Sequence, residues 1–200
     1  MQDLLRTLTA PDDLLPEDWF AHPPRLETPR LILRRAAMRD AQDVFAYASD
    51  PEVARYVLWE AHRTIGDSRH LLRCLLREYR EGRPSNFVIE EKSSGHVIGT
   101  IGYMNWKPEN ASVEVGYSLA RDCWGRGLAT EALGAVLRHS FENLKVHRVE
   151  ALHDVRNPAS GRVMEKCGMK KEGVVRACAR NKGEWVDAAL WAILAEDWRE

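Results

Sequence analysis

Past its midpoint the sequence reads Trp124-Gly125-Arg126-Gly127-Leu128-Ala129-Thr130-Glu131-Ala132. Two glycines stand one residue apart, directly before an apolar run. That run, Ala129, Ala132, Leu133, Val136 and Leu137, is spaced for one face of a helix. Glycine lets a ligand come close to the backbone, and a helix start presents N–H groups with no intrahelical acceptor. The helix dipole adds partial positive charge at the same end. The combination predicts a seat for a phosphate or pyrophosphate, and so a phosphate-bearing ligand.

On the N-terminal side, Ser112 to Leu119 reads as a strand, preceded by a polar turn from Lys107 to Ala111. Before it, Phe87–Glu90 and His96 to about Tyr103 form a hairpin through Ser93-Ser94-Gly95. Leu71, Leu72, Leu75, Leu76 and Tyr79 mark one helix. Val44, Phe45 and Ala48 mark another, with Asp40 as its expected N-cap. Arg30 to Arg35 is the first strand. On the C-terminal side the helix after the glycines runs to about Asn143, and Arg148–Leu152 is a strand. Pro158 to Cys167 is a short helix with Gly168 at its C′ position. Two last strands, near Val174–Ala179 and Trp185–Leu194, are joined by Asn181-Lys182-Gly183. Hairpins plus two strand–helix–strand crossovers predict an α/β (α+β) domain, with a mixed, mostly antiparallel central sheet flanked by helices. The expected organisation is an N-terminal arm over residues 1–24, punctuated by Pro11, Pro16, Pro23 and Pro24 and outside the core, then a folded domain over 25–200.

A chain of 200 residues can bury one good-sized core, and 44% apolar with 30% charged residues describes a globular protein. A net charge of −1 argues against nucleic acid or a membrane surface as the main partner. No apolar run reaches membrane-spanning length, and Met1-Gln2-Asp3-Leu4-Leu5-Arg6 lacks the pattern of a secretory signal, so a cytoplasmic location is expected. Cys74, Cys123, Cys167 and Cys178 form no C-x-x-C pair, and His96, His139, His147 and His153 share no ligand spacing, so no metal is expected.

A dinucleotide fold would also use the glycines. It calls for Gly-x-Gly-x-x-Gly and opens a βαβ unit, whereas the third position here is Thr130 and the preceding strand follows hairpins. The chain instead resembles the GCN5-related N-acetyltransferase (GNAT) superfamily, and within it the RimJ/RimL-like branch of ribosomal-protein N-terminal acetyltransferases. The family loop Gln/Arg-x-x-Gly-x-Gly/Ala appears as Asp122-Cys123-Trp124-Gly125-Arg126-Gly127, with Asp122 departing from the pattern. Asn157-Pro158-Ala159-Ser160 and Glu165-Lys166-Cys167-Gly168-Met169 match two downstream patterns. Glu27-Thr28-Pro29-Arg30-Leu31-Ile32-Leu33-Arg34 matches the opening of the branch. Trp185-Val186-Asp187 and Glu196-Asp197-Trp198 match its closing strand and tail. The likeness runs over roughly residues 25–198.

The resemblance implies transfer of an acetyl group from acetyl-CoA, as co-substrate, to a primary amine by direct attack in a ternary complex. The implied acceptor is the N-terminal α-amine of a protein, with a ribosomal protein as one option. A small amine (polyamine, aminoglycoside or amino acid) is the alternative acceptor, and a non-catalytic acyl-CoA-binding module is the alternative class. A homodimer is also implied. Strand alternation turns Glu114 away from Val113 and Val115. It is either a solvated residue on an open sheet face or, as in the family, the general base for the amine. Ser160 is either an ordinary helix-start serine or the donor to the CoA thiolate. Tyrosine plays that part in other branches, but the helix holding Met164 and Cys167 offers none. Asn157 forms a turn or bonds the pantetheine arm. Backbone groups around Tyr117, Ser118 and Leu119 pair with pantetheine like an added strand. Trp124, Gly125, Arg126, Gly127, Leu128, Ala129 and Thr130 make the phosphate loop, mainly through backbone N–H groups. The Arg126 guanidinium is either solvated or paired with phosphate. Cys123 is a packed thiol or a nucleophile. Trp59 and Trp106, in loop-like contexts, are expected to border the acceptor.

Overall fold

A computed structural model describes residues 16–199. The strands are β1 (Leu26–Glu27), β2 (Leu31–Arg34), β3 (Asn86–Glu91), β4 (Val97–Lys107), β5 (Ser112–Leu119), β6 (Arg148–Asp154), β7 (Lys170–Asn181) and β8 (Glu184–Leu194). They form one sheet in the order β1-β2-β3-β4-β5-β6-β8-β7. Every pairing is antiparallel except β5 with β6. The helices are α1 (Pro16–Ala21), α2 (Ala41–Ala48), α3 (Pro51–Ala54), α4 (Ile65–Arg80), α5 (Leu128–Glu142) and α6 (Pro158–Lys166). The mixed, mostly antiparallel sheet flanked by helices is the architecture the sequence predicts. Among the described residues no helix is long and apolar enough to cross a membrane.

Alternation along the strands builds two cores. Leu31, Leu33, Phe87, Ile89, Ile101, Val113 and Val115 face α5, whose Leu128, Leu133, Val136 and Leu137 are fully buried against them. Val88 and Val97 face the other way and meet Val44, Leu72, Leu75 and Tyr79 of α2 and α4. α4 starts at a capping box, with the Asp67 carboxylate accepting from Thr64 N at 2.8 Å. α6 ends at Gly168, whose φ of +83° only glycine adopts without strain, and Met169 N closes the turn on Met164 O at 3.1 Å.

Two expectations are corrected. Phe20 of α1 is 4% exposed and belongs to the first core, with its ring 5.7 Å from that of Tyr103, so residues 1–24 do not all lie outside the core. Residues 1–15 lie outside the described part of the chain. Asp40 makes no side-chain cap to α2. Its carboxylate instead accepts from Ala37 N and from both Nη atoms of Arg34, which also holds Glu90.

Candidate active site

The site begins where the one parallel pairing ends. β5 pairs with β4 along its whole length, from Ser112 to Leu119, but with β6 only over Ser112–Glu114. Beyond Glu114 and its neighbour Glu150 the two strands fork. A cleft of about 320 Å³ opens in the fork. Tyr117, Ser118 and Leu119 line one side, and Asn157 with Ala159, Ser160 and Val163 of the α6 it precedes line the other. Gly125, Gly127, Ala129 and Thr130 close the outer end, and Val53, Tyr56 and Val57 form a wall from α3 and its following turn.

The glycine loop has the conformation its sequence requires. Gly125 and Gly127 have φ of +72° and +77°, the left-handed region that costs other residues roughly 1–2 kcal/mol. The first bond of α5 runs from Glu131 N to Gly127 O at 3.0 Å. The N–H groups of Leu128, Ala129 and Thr130 precede it and project from the helix end. Gly127 is the N-cap and has no side chain to occupy them. The Leu128 side chain itself is core, so only its backbone serves the loop.

Arg126 pairs within the protein. Its guanidinium lies 2.6 Å from Glu91 and 3.8 Å from Cys123 Sγ. The Trp124 indole N–H donates to Leu119 O at 2.8 Å, so that strand carbonyl is already engaged. The Ser118 hydroxyl meets Thr100 Oγ1 at 3.2 Å, on the side opposite α6. Cys123 is buried, and burial pushes its thiol pKa up despite the nearby Arg126, the reverse of what a nucleophile needs.

Two hydroxyls meet across the fork. Tyr117 Oη lies 2.9 Å from Ser160 Oγ and donates to Ser160 O at 3.0 Å. Burial holds the Tyr117 phenol far above its ordinary range, so it remains protonated. A tyrosine from β5 thus stands beside Ser160, where the α6 sequence offers none. Alternation could have found it, because Tyr117 shares a face with Val113 and Val115. The fork that turns that face toward α6 is not written in any local pattern.

Glu114 sits at the apex of the fork, half-buried, on the opposite face from Tyr117. Its register partner on β6 is Glu150, so both carboxylates project from one face. Burial first, then the charge of Glu150, raises the pKa of Glu114, with Lys107 opposing. Burial also pulls Glu150 upward, but hydrogen bonds from Lys107 at 2.9 Å and Arg148 at 3.2 Å outweigh it and keep Glu150 below the usual carboxylate range. Opposite Glu114 the ladder slips by one residue, leaving Met104 bulged and lying over Gly116.

Trp59 and Trp106 do not line the cleft. Trp106 packs beside Phe20, with ring centroids 6.0 Å apart, and Trp59 packs on the second core near His62. The aromatic from this region that lines the cleft is Tyr56. The wall that carries it is fastened from across the molecule. Lys182, at the tip of the β7–β8 hairpin, donates to Ala54 O and Val57 O, both at 2.8 Å.

The family profile described as acetyltransferase (GNAT) domain matches residues 30–170. The chain belongs to the GNAT acetyltransferase family. The uncharacterized N-acetyltransferase p20 of Bacillus licheniformis is 31% identical over 173 residues, covering 86% of this chain and 97% of that protein. The [ribosomal protein uS5]-alanine N-acetyltransferase of Escherichia coli is 28% identical, over 87% of this chain and 92% of that one. A solved structure of Mycobacterium smegmatis RimJ in complex with CoA-disulfide is similar at a TM-score of 0.79 and 27% identity, covering 90% of this chain and 91% of that one. These relatives match this N-acetyltransferase over nearly their whole length.

Proposed function

We propose that this GNAT protein transfers acetyl from acetyl-CoA to the N-terminal α-amine of a protein, by direct attack in a ternary complex. The observation that carries this is the fork between β5 and β6, with donor groups on one face and a carboxylate pair on the other. The free edge of β5 beyond Glu114 suits the amides of a pantetheine arm, held as an added strand. Asn157 stands opposite to bond the same arm. The loop from Trp124 to Thr130 suits the pyrophosphate. Bound there, acetyl-CoA supplies a thioester whose acyl carbon an amine can attack.

The protein's part is to hold the two substrates in line and to manage two protons. A gap in a sheet is open to both faces, so the amine approaches from the Glu114 side. Glu114, directly or through a water, takes the proton that the attacking amine must lose. With the Tyr117 hydroxyl turned to donate to Ser160 Oγ, the Ser160 hydroxyl gives its proton to the departing thiolate. The uS5-alanine specificity of the Escherichia coli relative supports an α-amine acceptor, a ribosomal protein included. A homodimer completes the reading.

CoA release measured against peptides with Ala and Ser N-termini, and against polyamines, aminoglycosides and amino acids, tests it. Turnover of peptides with acetyl on the N-terminus by mass spectrometry is the expected result. Turnover of small amines alone would transfer the chemistry to the small-molecule acceptor. CoA binding with no turnover of any amine would leave an acyl-CoA-binding module.

A further inference from the structure

Arg30, which lies outside the cleft, grips the glycine loop from behind. Its Nη1 donates to Arg126 O at 2.9 Å. Its Nε donates to Glu131 Oε2 at 2.6 Å, and its backbone N–H to Glu131 Oε1 at 2.8 Å. Thr28 Oγ1 donates to that same Oε1 at 2.6 Å. Glu131 stands in the first turn of α5, where a free carboxylate would repel a bound anion. Here it faces away from the cleft, and both oxygens are occupied. Burial favours its neutral form, but the bonds from Thr28 and Arg30 outweigh burial and keep it ionised.

The bond to Arg126 O has a geometric consequence. In a trans peptide the C=O and the following N–H point in opposite directions across one plane. Fixing Arg126 O toward Arg30 therefore aims the Gly127 N–H the other way. Gly127 lines the cleft and Arg126 does not. Only a planar fork can hold a carboxylate with one nitrogen and a carbonyl with another at fixed spacing, which explains arginine rather than lysine at this position. A Cβ at Gly127 would stand 3.6 Å from Arg30 Nη2, so the brace and the loop are in contact.

We propose that Arg30, oriented by Glu131, is a positioning residue that turns the 126–127 peptide so that the Gly127 N–H meets the pyrophosphate of the acetyl donor. The proposal rests on the acetyl-CoA reading of the cleft. Its test is calorimetry with CoA combined with the NMR shift of the Gly127 amide, on the wild type and on Arg30→Met, Arg30→Lys and Glu131→Gln. CoA should move the Gly127 amide downfield in the wild type. Arg30→Met should weaken CoA by about 10-fold, the scale of one hydrogen bond to a charged group, and abolish that shift. Arg30→Lys keeps the charge but not the fork, and should lose the shift as well. Glu131→Gln should reduce it. Wild-type affinity in Arg30→Met, or weakened binding with the Gly127 shift intact, overturns the proposal, the latter because Arg30 would then act by charge alone. A wild type that binds no CoA overturns the acetyl-CoA reading instead.

Discussion

Glu114 carries opposite consequences for activity and for stability. Glu114→Gln keeps the shape and removes the proton acceptor, so kcat/KM should fall on the order of 10²-fold, the usual scale for losing a general base, with CoA affinity unchanged. Burial and Glu150 favour the protonated carboxyl in the folded chain. The stability that protonation brings is complete below the unfolded pKa and is lost as pH rises through the higher folded one. Above that folded pKa ionised Glu114 is therefore a cost, and there Glu114→Gln should melt at a higher temperature than the wild type. Retained activity would remove the base, and a lowered Tm would show that the folded chain does not penalise the ionised carboxylate. Glu150 makes a separate prediction. The acidic limb of kcat/KM should lie above the ordinary carboxylate range, and activity should fall as pH drops through it. Glu150→Gln removes the like charge and leaves Lys107 without its 2.9 Å partner, and both changes favour ionised Glu114. The limb should move to lower pH, measured as a pH–rate profile. An unmoved limb assigns it to another group. Across the fork, Ser160→Ala and Tyr117→Phe should each lower kcat on the order of 10-fold, with the double variant well short of 100-fold, because the two hydroxyls act as a unit. Additive losses in stopped-flow single turnovers would separate them. Glu114 and Ser160 could be picked out as candidates from the chain alone because each sits in a recognisable local pattern. The Tyr117–Ser160 contact could not, since it joins residues 43 apart.

Among the elements, those with a period to read were legible. α4 and α5 carry apolar stripes over four turns, and β5 alternates between turn residues. α1 and α3 have six and four residues, too short for any period, and both were missed. α3 matters most, because it walls the cleft. The bulge at Met104 was also invisible, since a one-residue slip depends on both strands at once. The N-terminus of α5 makes the element's own prediction. Gly127→Val places a β-branched residue at φ +77° and pushes toward the Arg30 guanidinium. It should weaken CoA by more than 10-fold in calorimetry, from strain of roughly 1–2 kcal/mol together with a displaced peptide. Unchanged CoA affinity would take the loop out of the site.

At the scale of the molecule, β7 is a sheet edge broken by irregularities at Lys171/Gly173 and Val175/Ala179, with Val174, Val175 and Trp185 exposed nearby. The exposed apolar side chains suit cover by a second copy of the chain, and isologous pairing is the commonest geometry for a homodimer. Light scattering across a dilution series should give a dimer mass at micromolar concentration, and a monomer would sink that reading. Truncation needs the corrected boundary. Removing residues 1–24 takes Phe20 from the core and should cost roughly 3–5 kcal/mol, seen as a large drop in Tm. Removing 1–15 leaves Phe20 in place and asks only whether that segment contributes to the contact. If the 1–24 deletion melts like the full chain, the placement of Phe20 is wrong. The strand order also sets a timetable for biosynthesis. β8 is made after β7 yet lies between β7 and β6. Until residue 194 has left the ribosome, β7 has no ladder to join and Lys182 no hairpin to carry it to α3. A nascent chain arrested shortly before β8 therefore lacks the tie from Lys182 to the Ala54 and Val57 carbonyls, and the wall of the cleft waits for the last strand to be fastened.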